Sequence, residues 1–156
     1  MLFDPQLDVA VLSVPHMTAP PVQANSQTPA VGAPVVVLGY PLGGPLASSA
    51  GVVKLYEVAQ GPDIYNRGTT KRLIFEVTSP IEHGYLGGPV VSTTNNGSAQ
   101  LVGSVVGIVF ARDAKSPHWA YAIPLNSVMA DVRKATSTTY SATPGPCLPP
   151  AIANGT

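Results

Sequence analysis

The stretch Ser79-Pro80-Ile81-Glu82-His83-Gly84-Tyr85-Leu86-Gly87-Gly88-Pro89-Val90-Val91 holds the residue types and spacing that bear most directly on chemistry. A tight glycine turn running into an apolar strand can aim successive backbone N–H groups into one concavity, the geometry that stabilises a developing oxyanion. As a bare pattern it also describes an ordinary Gly-Pro corner feeding a strand, so the turn needs chemical partners before it means more. At its apex Tyr85-Leu86 supplies a phenol and a hydrocarbon, not a nucleophilic alcohol. Ser79 lies seven residues before Leu86 and Ser92 six after it, and strand or loop geometry carries both away from the apex. The three histidines, His16, His83 and His118, fall in a linker, just ahead of the turn and at a strand entry. For each, a surface or hydrogen-bonded imidazole is the plain expectation. Asp63 follows Pro62 in a turn-initiating pair and is assigned no chemistry.

Composition narrows the classes of function. The chain has 156 residues, of which 17 are Pro and 15 Gly, with 45% hydrophobic and 10% charged residues. That density of chain-bending residues excludes a helical bundle or coiled coil. Acidic and basic residues balance at 8 each, which leaves no excess positive charge to neutralise phosphates, so nucleic acid is excluded as a ligand. A domain of this length buries roughly 68–70% of the unfolded chain's surface, enough to fold without a structural metal. Neither a metal nor a cofactor is expected. The longest apolar stretch, Val105 to Ala111, is too short for a bilayer, which needs about 17 residues or more. Met1 to Pro5 lacks the charged and apolar regions of a signal peptide. The single Cys147, in a Pro-rich tail, cannot form an internal bridge, and in an oxidising setting its partner would lie on chain absent here.

The elements that must position the glycine turn are strands. Asp8 to Val14 alternates, and the Pro-rich segment 15–34 reads as a linker. Six short runs rich in β-branched residues follow at Val35–Gly39, Gly51–Ala59, Arg72–Thr78, Pro89–Thr93, Leu101–Ala111 and Trp119–Ile123. Asn95-Asn96-Gly97 predicts a hairpin turn between two of them. One helix is predicted at Asn126–Ala135, with Asn126 or Ser127 as its cap and Arg133 and Lys134 near its negative end. Short antiparallel strands with glycine corners predict a small all-β barrel, which removes exposed sheet edges. Asp8–Val14 is then the last strand of a second, mostly missing unit.

These residues resemble the trypsin-like serine proteases. Gly84-Tyr85-Leu86-Gly87-Gly88-Pro89 is similar to the family's Gly-Asp-Ser-Gly-Gly-Pro nucleophile turn, 101–111 to the substrate-binding strand, 119–123 to the last barrel strand, and Leu7 to Leu12 to the segment bearing the triad aspartate. Within the family, Asp4-Pro5, Val14-Pro15-His16, Val35 to Pro41, Gly61 to Tyr65 and the Gly-Pro-Cys147 tail resemble its membrane-anchored mycobacterial acid-resistance branch. The resemblance implies an all-β fold whose six-stranded antiparallel Greek-key barrel is the second barrel of the chymotrypsin fold. It divides the chain into a first-barrel remnant at 1–14, a linker at 15–34, the second barrel with its closing helix at 35–135 and a tail at 136–156.

The same resemblance places the triad aspartate at Asp8, the nucleophile at Leu86 and the oxyanion amides at Gly84 and Leu86. Its specificity pocket would lie among Pro80, Ile81, Glu82, His83, Phe110, Ala111, Arg112 and Trp119, apolar or blocked. Two departures predict inactivity: Leu86 has no hydroxyl, and none of the 7 residues before Asp8 is the required histidine base. Tyr85, where the family has an Asp, removes a carboxylate that pins this turn in many members and leaves it either formed or collapsed. The expectation is an extracytoplasmic protease homologue that is degenerate and truncated at its amino end. The alternative is a pseudoprotease or stand-alone barrel module that binds peptides or proteins without cleaving them.

Overall fold

The computed structural model describes residues 1–93, 103–116, 118–137, 142, 143 and 145. Two short strands, β1 (Leu2–Asp4) and β2 (Val9–Val11), form an antiparallel hairpin of their own. Six further strands, β3 (Pro34–Gly39), β4 (Ala47–Pro62), β5 (Thr69–Thr78), β6 (Pro89–Ser92), β7 (Val105–Arg112) and β8 (Trp119–Pro124), close into a barrel in the order β3-β4-β5-β8-β7-β6. Helix α1 (Leu125–Ser137) follows directly.

Period-two patterning explains the barrel. Val35 and Val37 of β3, Phe75 and Val77 of β5, Val90 of β6, Val106 and Val109 of β7 and Ala120 and Ala122 of β8 turn inward and share one core with Ile81 and Tyr85. Each large apolar side chain buried there contributes about 1.5–3 kcal/mol. Gly107 leaves room for the Phe75 ring: a Cβ at this position would stand 2.6 Å from it. A second cluster sits outside the barrel, where Val9 of the hairpin meets Ile123, Leu125 and Val128, with Phe110 and Val132 packed around them. This seam holds the hairpin and α1 against β7.

Every predicted strand run contains an observed strand, with shifted bounds. The first run holds only Val9–Val11 as strand, because Asp8 takes a left-handed conformation (φ 61°) in the hairpin turn, and its partner Leu2–Asp4 is too short for periodicity to reveal. The run from Leu101 begins as strand at Val105. The helix starts at Leu125, one residue early, so Asn126 lies inside it and its Oδ1 accepts from Ser127 Oγ (3.4 Å). The segment 15–34 is tied to the barrel: Asn25 N–H donates to Val105 O (2.9 Å), Val105 N–H to Gln23 O (2.8 Å) and Tyr56 Oη–H to Pro29 O (2.6 Å). The Asn95–Gly97 turn and Cys147 lie outside the described residues, although β6 and β7 on either side of that turn do pair antiparallel. No described helix is long and apolar enough to cross a membrane.

Candidate functional site

The glycine turn runs from Ile81 to Pro89 between the end of β5 and the start of β6, and its shape is set by backbone packing. Tyr40 N–H donates to Gly84 O (2.9 Å) and Leu42 N–H to His83 O (2.8 Å), so the single 3-10 turn Pro41–Gly43 after β3 clamps the entry. Gly88 N–H bonds Tyr85 O (2.9 Å), Gly87 N–H bonds Val109 O (2.7 Å) and Val109 N–H returns to Gly88 O (3.0 Å), which fixes the exit to β7. The chains approach so closely that glycine is required. A Cβ on Gly84, at φ +104°, would lie 2.0 Å from Tyr40 O, and one on Gly88 would lie 2.1 Å from Leu38 O.

Tyr85 is anchored inward. Its side chain is 6% exposed and joins the barrel core, so its ring packs in the interior. Leu86 points the other way and is 43% exposed at the apex. Beside it lies a cavity of about 420 Å³ bordered by Leu38, Tyr40, Leu46, Leu86 and Pro89, an apolar lining without a nucleophilic group. Among the described residues, neither the Gly84 nor the Leu86 amide donates to a backbone carbonyl, and the His83 carbonyl is taken by Leu42.

The other hydroxyls lie away from this surface. Ser79 is fully buried and its Oγ donates to Ser49 Oγ (2.8 Å), which donates to Pro80 O (2.8 Å). Ser92 is 1% exposed at the far end of β6. Both are closed to a substrate.

The residues expected around a specificity pocket divide into groups. Pro80, Ile81 and Glu82 border a second cavity of about 380 Å³ together with Pro41, Tyr85 and His118; Ile81 is buried, while Pro80 and Glu82 are exposed. His83 and Arg112 meet: Arg112 Nη2 donates to His83 Nε2 (3.3 Å) and joins the turn to the end of β7. A guanidinium only donates, so Nε2 accepts and the ring carries its proton on Nδ1. Phe110 packs outside the barrel against the Val9 cluster, with the Arg72 guanidinium 5.9 Å from its ring centre. Ala111 and Trp119 are half-buried on paired strands, Trp119 opposite Thr78. The bulge between Val109 and Ala111 breaks the alternation of β7, and sequence periodicity carries no signal for such a break.

Asp8 is exposed in the hairpin turn. The carboxylates that do come together nearby are Asp4 and Asp131. Asp4 Oδ1 accepts from Gln6 N–H (2.8 Å) and Leu7 N–H (3.0 Å), while Asp131 of α1 has a buried Oδ2 without a hydrogen-bond partner among the described residues. Burial, then the negative charge of Asp4, pushes the Asp131 carboxyl above the usual range, against a smaller opposing pull from Lys134. This pair is far apart in sequence and nothing local announces it. Among the described residues no group of His, Cys, Asp and Glu is arranged to hold a metal ion.

Comparison with known proteins places this geometry. The family model described as a trypsin-like peptidase domain matches residues 1–108. The serine protease Rv3671c of Mycobacterium tuberculosis is 31% identical over 137 residues, 87% of this chain and 32% of the relative, so the chain spans about a third of that protein's length. The crystal structure of the active form of the Rv3671c protease superposes with a TM-score of 0.81 at 30% identity, covering 93% of this chain and 60% of that one. The inactive form superposes with a TM-score of 0.70 at 30% identity, covering 86% and 64%.

Proposed function

The chain belongs to the trypsin-like peptidase family, and on that premise we propose that it is a non-cleaving member which holds a peptide segment at its glycine turn. One observation carries the reading: the residue at the turn apex, where the family places its serine, is the exposed hydrocarbon Leu86. Acyl transfer needs an oxygen nucleophile at that point, and Leu86 cannot form the acyl-enzyme. This holds whatever chain precedes or follows the residues in hand.

The binding half of the reading rests on the backbone. Donors for a peptide carbonyl are main-chain N–H groups, which survive any side-chain change. The His83 carbonyl bonded to Leu42 supports a formed rather than collapsed turn, with Gly84 and Leu86 as its donors. In this reading Asp8 keeps the family position of the triad aspartate without its role, residues 1–14 are the end of a first barrel, 15–34 its strapped linker, 35–135 the second barrel with its helix and 136–156 a tail. Pro80, Glu82, His83, Ala111, Arg112 and Trp119 flank the bound peptide, and Phe110 and the buried Ile81 support the wall from behind. By family likeness the protein works on the extracytoplasmic side of a membrane.

A second reading, a barrel module that docks a protein partner, is favoured by Tyr40, Leu42, Leu46 and Leu86, all exposed on or next to the same apolar surface (58%, 78%, 60% and 43%). Incubation with a mixture of unstructured peptides, followed by mass spectrometry of bound and free fractions, tests the proposal. Intact peptides retained with no new termini are expected. Cleavage products, or no retention at all, would reject the peptide-holding reading.

A further inference from the structure

We propose that Arg112 and His83 form a carboxylate-binding subsite beside the glycine turn, which takes an acidic side chain or the free C-terminus of a held peptide. The proposal rests on the peptide-holding reading above and adds the chemistry that the peptide must carry. Its basis is the contact between the guanidinium and the imidazole, Arg112 Nη2 to His83 Nε2 at 3.3 Å.

That contact employs one of the five guanidinium N–H donors. Among the described residues neither side chain forms an ion pair, and the neighbouring acids are directed elsewhere. Glu82 faces the cavity shared with Pro41 and His118. Asp113, next to Arg112 in sequence, accepts from Lys115 N–H (2.7 Å) and Ser116 N–H (3.3 Å) with its Oδ1. The guanidinium of the half-buried Arg112 therefore stands in an exposed contact with most of its fork open to a ligand.

Both ends of the pair are held by the backbone. The His83 carbonyl is fixed by Leu42 N–H, and Arg112 lies in register with Ala120 at the end of β7. His83 is exposed and Arg112 half-buried, so an arriving anion meets guanidinium donors carried on a fixed backbone. A planar carboxylate matches the guanidinium fork with two charge-assisted bonds, each stronger than the neutral-acceptor bond to Nε2 that it replaces. A carboxamide offers one acceptor and turns donors against donors. The subsite therefore separates acid from amide, and the apolar cavity at Leu86 receives neighbouring side chains of the same peptide.

The test is isothermal titration of the full chain with three peptides: acetyl-Ala-Ala-Pro-Glu-amide, acetyl-Ala-Ala-Pro-Gln-amide and acetyl-Ala-Ala-Pro-Gln with a free carboxylate. The Glu amide, the free acid, or both are expected to bind about tenfold more tightly than the uncharged Gln amide, and which of them does so identifies the source of the carboxylate. Arg112→Gln is expected to erase that preference with an unchanged thermal midpoint, and Arg112→Lys to retain only part of it. If Arg112→Gln does not fold, His83→Gln, at an exposed side chain, is expected to weaken the preference instead. Equal affinity for all three peptides, or a preference that survives in Arg112→Gln, overturns the subsite and leaves the peptide-holding reading standing. No binding of any of the three overturns both.

Discussion

Leu42 donates its backbone N–H to the carbonyl of His83 across 2.8 Å, and among the described residues that carbonyl accepts no bond from the amide of Leu86 three residues further on. The glycine turn is thus supported from the 3-10 turn after β3, a segment more than forty residues away in sequence. Its shape does not depend on the side chain at its apex, and the first expectation follows from that separation.

A fluorophosphonate probe is expected to leave the protein unlabelled, since Leu86 offers no oxygen and Ser79 and Ser92 are buried. Leu86→Ser in this 156-residue chain is expected to show no peptidase turnover either. Its three histidines stand elsewhere: His83 accepts from Arg112, His118 borders the second cavity and His16 lies in the strapped segment. Labelling of the parent protein, or turnover by the variant in a quenched-peptide assay, would refute this account.

Gly84→Ala is expected to lower stability by about 2 kcal/mol or more, because the added Cβ meets the Tyr40 carbonyl and the backbone is held at positive φ. Gly87→Ala, at φ +84° with nothing within 4 Å of the new Cβ, is expected to lose only about 1 kcal/mol from backbone strain. Urea unfolding of the two variants side by side checks the ordering, which a plain loop would not show.

The Asp4–Asp131 pair makes stability depend on pH in a defined direction. A carboxyl whose pKa is raised on folding stabilises fully below its unfolded value, and that contribution is lost as pH rises through the raised folded value. Asp131→Asn removes the charge and is expected to raise the thermal midpoint at pH 7 by about 1–2 °C, the response of a domain this size to a solvent-screened interaction of ~0.5 kcal/mol, with the gain vanishing towards pH 3.5. Melting curves across that range provide the check; a gain that is constant with pH would exclude the carboxyl pair as its cause.

Tyr56 straps the segment 15–34 to the barrel through Pro29 O, and burial pushes its phenol up to about 12. Its contribution is present below pH 10 and lost as pH rises towards 12. Tyr56→Phe is expected to cost about 1 kcal/mol at pH 7 and to show faster amide hydrogen exchange at Gly32 and Asn25, with less of the alkaline loss seen in the parent. Unchanged exchange at both amides would show that the strap is held by other contacts.

Much of the barrel was legible because inward and outward residues alternate. Val35, Val37, Val90 and Ile123 announce strands by period and β-branching, and glycines at 84, 87 and 88 announce a turn that side chains cannot occupy. The chemistry at the apex was equally plain, since Leu86 carries no oxygen in any fold. The strand Leu2–Asp4 was not legible: three residues hold too little pattern, and it exists because Val9–Val11 and α1 cover it.

The amino-acid sequence alone determined the barrel's strand inventory, the glycine corner and the hydrocarbon side chain at its apex, because each depends on local sterics or on the atoms of one side chain. Tertiary structure decided the rest. A bulge between Val109 and Ala111 separates Phe110, which packs on the hairpin seam, from Arg112, which meets His83; closure of the helix against β1 puts Asp131 beside Asp4; and Tyr56 fastens a Pro-rich segment that composition reads as loose. Those relationships join residues tens of positions apart, and their energies arise only once burial and barrel closure have brought the groups into contact.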